Sequence, residues 1–297
     1  MSSSTRASIG LITCVALWGM VFIGVHEVLP ELDPAQIVTL RFAIIAVAFV
    51  VVLAIRPDWR PRIERREWLV VVVAAICAVP ASQLSIIEGQ RFLSPPIAAL
   101  VVTFAPAIAA VLAAVTLRER LAARAVAGFA IAFCGVAIIV VLGAGTGAQA
   151  EASDPLRASV ALLSPIAWAV YTLISKPLAL RHHAIGIVGV TMIVGALMML
   201  PLYPHALEGA RDLSAAGWAW VVFLAIGGSA GPYILWTMSL QTLPVSRTAA
   251  FMYLVPVFAL LWTGTLLGQA PSSIALGGGV VVLAGVALTQ VKSKVPA

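Results

Sequence analysis

Ser164, Trp168, Tyr171 and Ser175 stand at i, i+4, i+7 and i+11, which places two hydroxyls, an indole and a phenol on one face of an otherwise aliphatic helix. Ser229, Tyr233 and Trp236 repeat the idea in a second apolar stretch; Trp18 lies at the centre of a third and Gln83 within a fourth. Such groups stack on a ring or chain and hydrogen-bond a polar head, the chemistry of a small-molecule cavity. Plain helix packing is the other reading of aromatic stripes at this spacing. An indole held in mid-run is expected to find an acceptor for its N–H.

The elements that hold these residues follow from composition. Of 297 residues 62% are hydrophobic and 10% charged, and the mean hydropathy is +1.07, usage that belongs to a lipid-embedded chain. Apolar runs between Pro, Gly and charge clusters predict spans near 8–29, 35–55, 67–88, 95–117, 123–142, 158–176, 184–202, 217–240, 246–267 and 272–291. The expected fold is therefore an all-α integral membrane protein of ten transmembrane helices joined by short polar connectors. The run after Arg6 is too long for a signal-peptide core and reads as a retained first span.

Fourteen of the 18 Lys and Arg fall in the connectors and ends of one side: Arg6, the cluster Arg56 to Arg66, Arg118, Arg120, Arg124, Lys176, Arg181, Arg247, Lys292 and Lys294. The other side holds Arg91, Arg157 and Arg211. That asymmetry predicts cytoplasmic N- and C-termini, and it accounts for the net charge of +6 without nucleic-acid binding. Arg41 is the exception, about six residues and roughly 9 Å inside its span. Such an arginine either binds a substrate carboxylate or gates with Glu88, or it snorkels outward and pairs with Glu27, Glu31, Asp33 or Glu88.

Shifting the first half by 150 residues lays like on like: Trp18 on Trp168, Trp68 on Trp218, Ala99 on Ala249, Pro106 on Pro256, Gly128 on Gly278 and Gly135 on Gly285. Gln83 falls on Tyr233. Five spans is an odd number, so consecutive copies enter the membrane in opposite senses, as inverted repeats. The expected units are 1–145, a first five-helix repeat; 146–157, a linker; and 158–297, a second, inverted repeat. Pro106 and Pro256 fall at mid-span, and Pro80 corresponds to the region of Pro232, so all four are candidate hinges, with fixed kinks as the alternative.

The segment from Ala98 through Val140, with Pro106, Leu117-Arg118-Glu119-Arg120-Leu121, Gly128 and Gly135, resembles the drug/metabolite transporter superfamily, EamA type. Pro256, Gly268, Gly278, Gly285 and the stretch Ala167-Trp168-Ala169-Val170-Tyr171 extend the resemblance to nearly the whole chain. It implies a ten-helix bacterial carrier that exports amino acids, metabolites or drugs. The family's second glutamate is replaced here by Gln269, opposite Glu119, which is read as one partner of an interfacial ion pair with neighbouring arginines.

No phosphate-cradling loop, no mid-span Asp or Glu and no mid-span Lys/Arg cluster is present. Cys14, Cys77 and Cys134 lack disulfide or metal spacing, and His26, His182, His183 and His205 lie at or beyond helix ends. No catalytic residue, metal or cofactor is expected. The expected function is a secondary-active or facilitative carrier of the bacterial inner membrane. It works as a monomer and moves small neutral, zwitterionic or amphipathic metabolites outward by alternating access, amino acids foremost and aromatic ones included. An intramembrane lipid-modifying enzyme and a passive channel are the alternatives.

Overall fold

The computed structural model describes residues 3–93, 95–119, 122–139, 155–266 and 272–290. The linker around 146, Gln269, Lys292 and Lys294 lie outside them. Every regular element among the described residues is helical. In order these are α1 (Ser3–Val28), α2 (Pro34–Ile55), α3 (Glu67–Ile76), α4 (Ser85–Gly89), α5 (Pro95–Val102), α6 (Ala105–Thr116), α7 (Ala123–Ala137) and α8 (Pro155–Ala158). The series continues with α9 (Leu163–Arg181), α10 (Ala184–Met198), α11 (Tyr203–Asp212), α12 (Ala215–Ala225), α13 (Gly231–Leu240), α14 (Val245–Ala250), α15 (Val255–Leu266) and α16 (Ser273–Gln290).

Eight stretches among the described residues are long and apolar enough to cross a bilayer, nine if α10 and α11 count as one span bent by 51°. The shorter α7 is apolar as well. The chain is a multi-pass membrane protein. Val115, Leu69 and Ile55 are each more than two-thirds exposed, an outer surface suited to lipid tails and not to water.

Helix ends carry their own local logic. Asp33 accepts from the N–H of Gln36 while Gln36 returns a bond to the N–H of Asp33, a reciprocal cap that with Pro34 starts α2 and is worth roughly 0.5–2 kcal/mol. Ser214 caps α12 through the N–H of Gly217 and is itself held by Glu31. The structure also departs from the expected short connectors here. After Met199 the chain turns into α11, which docks against α2 through Gln36 on the carbonyl of His205 and His205 on Asp33.

Two spans widen and two break. α3 passes through a π segment, Cys77–Leu84, which contains Pro80, before resuming as α4; α12 passes through another, Ile226–Ala230, into α13 with Pro232 at its start. Proline cannot donate to the helical ladder, and the Gly227-Gly228 pair supports a regular helix only weakly, so the wide turn forms there. α5 and α6 are separated by a turn at Thr103 and Phe104, with Pro106 in the first turn of α6. α14 and α15 are separated by the 3-10 turn Phe251–Leu254, with Pro256 in the first turn of α15. The four prolines expected to mark hinges thus all lie inside or directly after an irregular turn.

α7 and α16 are packed backbone to backbone. A Cβ built on Gly135 would lie 2.6 Å from the amide nitrogen of Val282 and 2.9 Å from the carbonyl of Gly278; one on Gly128 would lie 2.7 Å from the carbonyl of Gly285. Only glycine permits this approach. Low numbers meet high ones, so the two helices cross antiparallel.

Candidate functional site

A cavity lies within the bundle near the end where α1 stops and α2 begins. Its walls include Trp18, Val21, Phe22 and Val25 of α1, Arg41 of α2, Ser82, Gln83 and Gln90 beside α4, Ser164 and Trp168 of α9, Tyr233 of α13, and Met252 and Val255. The wide turns bring several of these inward.

The aromatic wall is continuous. Trp18 and Trp168 meet edge to face at 5.0 Å between ring centroids; Trp168 and Tyr233 do so at 5.2 Å. Trp236 sits 5.2 Å from Trp18, and Tyr171 5.1 Å from Trp168. Each such pair contributes about 0.5–1.5 kcal/mol beyond burial. The phenol of Tyr233 donates to the carbonyl of Ala78 at 2.9 Å and accepts from Gln83 at 3.5 Å, while Ser82 and Ser164 share a bond of 3.1 Å.

Arg41 carries the charge of the site. It is 1% exposed and bonds only neutral acceptors: Nε to the carbonyl of Leu224 at 2.9 Å and to Ser229 Oγ at 2.7 Å, Nη1 to Gln83 Oε1 at 3.1 Å, and Nη2 to the carbonyl of Gly228 at 3.3 Å. Gly228 is four residues before Pro232, whose missing N–H leaves that carbonyl without its helical donor. The kink and the arginine therefore satisfy one another.

Several expectations change here. Among the described residues Arg41 neither snorkels nor meets an acid; Glu88 pairs instead with Arg91 at 3.1 Å, one helical turn away, because both sit at the helix end in reach of water. The stripe on α9 is longer than the cavity. Trp168 and Ser164 line it, Tyr171 and Trp236 form a second layer behind the wall at 2% and 0% exposure, and Ser175, more than a turn further along, is buried away from it. The indole N–H groups of Trp168 and Trp236 have no partner among the described residues, since rings surround these rings. Of the arginines expected beside Glu119, Arg120 lies outside the described residues, and the Glu119 carboxylate turns to another part of the chain. It accepts from the N–H groups of Val245 and Ser246 at 2.8 and 3.2 Å and from Ser246 Oγ at 2.9 Å, capping α14 from a distant part of the chain. Ser82 and Gln90 had gone unmarked, although Gln83 and Gln90 are spaced i, i+7, a polar face in an apolar span.

The opposite end of the bundle is closed by polar contacts. Lys176 donates to the carbonyls of Leu240 and Leu243 at 2.6 and 2.5 Å, and Gln241 to that of Ala179 at 2.9 Å. The cap of Glu119 over the start of α14 belongs to the same layer.

A helical membrane bundle with irregular mid-span turns around a polar-aromatic cavity is the build of a membrane transporter. Comparison with known proteins makes the class specific. The EamA-like transporter family matches residues 5–141 and again 156–291, and the chain belongs to that family. It is 28% identical over 284 residues, 96% of this chain and 93% of the other, to the "Probable terminal-alkyne amino-acid exporter" of Streptantibioticus cattleyicolor. It is 28% identical over 278 residues to an "Uncharacterized transporter" of Archaeoglobus fulgidus, covering 92% and 94% of the two chains. A solved crystal structure with 20% identity has the same fold, with a TM-score of 0.79 over 96% of both chains.

Proposed function

We propose that this transporter exports small amphipathic metabolites, zwitterionic amino acids foremost, across the bacterial inner membrane by alternating access. The observation that carries the reading is the cavity itself: indole and phenol walls beside a cluster of hydrogen-bonding groups, enclosed where the irregular turns of several spans converge. The name of the Streptantibioticus relative supports amino-acid export as the starting hypothesis.

In this reading the chain has ten transmembrane helices, α7 and the bent α10–α11 each counting as one. They form two inverted five-helix repeats, 1–145 and 158–297, joined by the linker 146–157. Three observations support it. Adding 150 to the bounds of α6, Ala105–Thr116, lands on those of α15, Val255–Leu266. The family match divides in two at nearly the same offset. Contacts between α7 and α16 are exchanged in pairs, Gly128 with Gly285 and Gly135 with Gly278, as a twofold relation requires. With both termini cytoplasmic, the cavity lies toward the outer face, and Glu119, Lys176 and Gln241 close the inner one. Arg41 and the residues of the aromatic wall are the proposed substrate site, the four prolines the points about which it opens, and the working unit is a monomer.

The test is flux. Purified protein in liposomes is loaded with labelled amino acids, aromatic and aliphatic, and efflux is followed against concentration. Saturable, selective efflux is expected; flux that never saturates identifies a channel, and none at all overturns the proposal.

A further inference from the structure

We propose that Arg41 is the subsite for a substrate carboxylate, and that the site recognises this carboxylate without requiring an amino group beside it. The inference rests on the reading of the cavity as the substrate site and names the chemical class that it accepts.

A guanidinium has five N–H donors. The bonds of Arg41 occupy Nε, one hydrogen of Nη1 and one of Nη2, so each terminal nitrogen keeps one N–H, and the side chain forms part of the cavity wall. All four acceptors are uncharged. Among the described residues no Asp or Glu lines the cavity and Arg41 forms no ion pair. A buried cation with neutral neighbours only is costly, and a carboxylate that reaches both free N–H groups supplies the missing charge in bidentate geometry. Its bonds to Leu224, Ser229 and Gln83 hold the fork in place beforehand, so little order has to be gained on binding.

The same inventory says what is missing for an ammonium. The cavity wall provides rings and amide or hydroxyl oxygens but no anion, so a second, positive group on the ligand gains less here than the carboxylate does. Removal of the amine should leave binding intact. Removal of the carboxylate's charge should not.

Thermal stabilisation of the full-length protein in detergent tests this with 3-phenylpropanoate, L-phenylalanine, 3-phenylpropanamide and L-phenylalaninamide, against a sodium chloride blank. Wild type is expected to bind the two carboxylates at least tenfold more tightly than the two amides, and 3-phenylpropanoate no more weakly than L-phenylalanine. Arg41→Gln should abolish the preference and Arg41→Lys retain part of it. Equal binding of acids and amides by wild type overturns the proposal, even if Arg41→Gln fails to fold. So does failure of 3-phenylpropanoate to bind, or stabilisation by chloride alone that equals it. Saturable efflux of neutral amides alongside such a result leaves the transporter reading standing, whereas absence of any saturable efflux removes that reading itself.

Discussion

Trp18 and Trp168, 150 positions apart in the chain, meet edge to face with ring centroids 5.0 Å apart and planes at 89°. Gln83 and Tyr233, separated by the same 150, share a hydrogen bond. In the proposed inverted repeat, a residue that touches its own counterpart sits at the line relating the two halves. Both pairs border the cavity, so under the proposed function the seam between the halves and the substrate site coincide.

The indole pair should matter to affinity more than to folding. Trp18→Ala is expected to raise the apparent KM for efflux of an aromatic substrate about tenfold, near 1.4 kcal/mol, and Trp18→Phe about threefold or less. Trp168→Ala removes contacts with four rings and should also lower the melting temperature, since burial losses of about 3–5 kcal/mol follow such truncations. Concentration-dependent efflux and a melting curve separate the two effects.

The α7–α16 contact predicts a sharp contrast among glycines. Gly135→Ala places a methyl against the backbone of Val282 and Gly278 and should destabilise the detergent-solubilised protein by several degrees, whereas Gly277, with nothing within 4 Å of its Cβ position, should accept alanine without loss. Thermal melts of the two variants side by side decide; equal melting temperatures would contradict the packing described.

Glu119 reaches across 126 residues to cap α14. Glu119→Gln keeps the size and one acceptor but loses the charge-assisted part of three bonds, a loss on the order of 1 kcal/mol that shifts the closed end toward opening about fivefold. Leu243, 5% exposed in that layer, provides the reporter. A cysteine placed there, Leu243→Cys, should react with a soluble maleimide about five times faster in the Glu119→Gln background.

Pro232→Ala restores an N–H that competes with Arg41 for the carbonyl of Gly228. The expected result is a protein that melts a few degrees higher and transports more slowly, because the turn that bends α12 into α13 has become more regular. Faster transport at unchanged stability would show that the proline has another role.

Much of this architecture was legible in the chain. The apolar runs placed most span centres, and the offset of 150 set Trp18 opposite Trp168, Pro106 opposite Pro256 and Gln83 opposite Tyr233, with Pro80 falling two residues from the counterpart of Pro232. What could not be read were partners set by tertiary approach. The pairing of Arg41 with carbonyls 183 and 187 residues away depends on a π turn that no local spacing announces. The sequence suggests Glu88 as a partner for Arg41 and neighbouring arginines as partners for Glu119, whereas Glu88 pairs with Arg91 and Glu119 caps α14. α11 was hidden because Pro201 and Pro204 bracket its start and read as a loop.

The bond between Gln83 and Tyr233 joins unlike residues, and the counterpart of Arg41 is Thr191, whose hydroxyl is spent on the carbonyl of Ile187. Two identical copies related by a twofold axis would offer a solute two placements of equal energy, head toward either face of the membrane. Divergence at these two positions lifts that degeneracy. Under the proposed function an asymmetric solute therefore enters the bundle with a single polarity, and the repeat has acquired a compass.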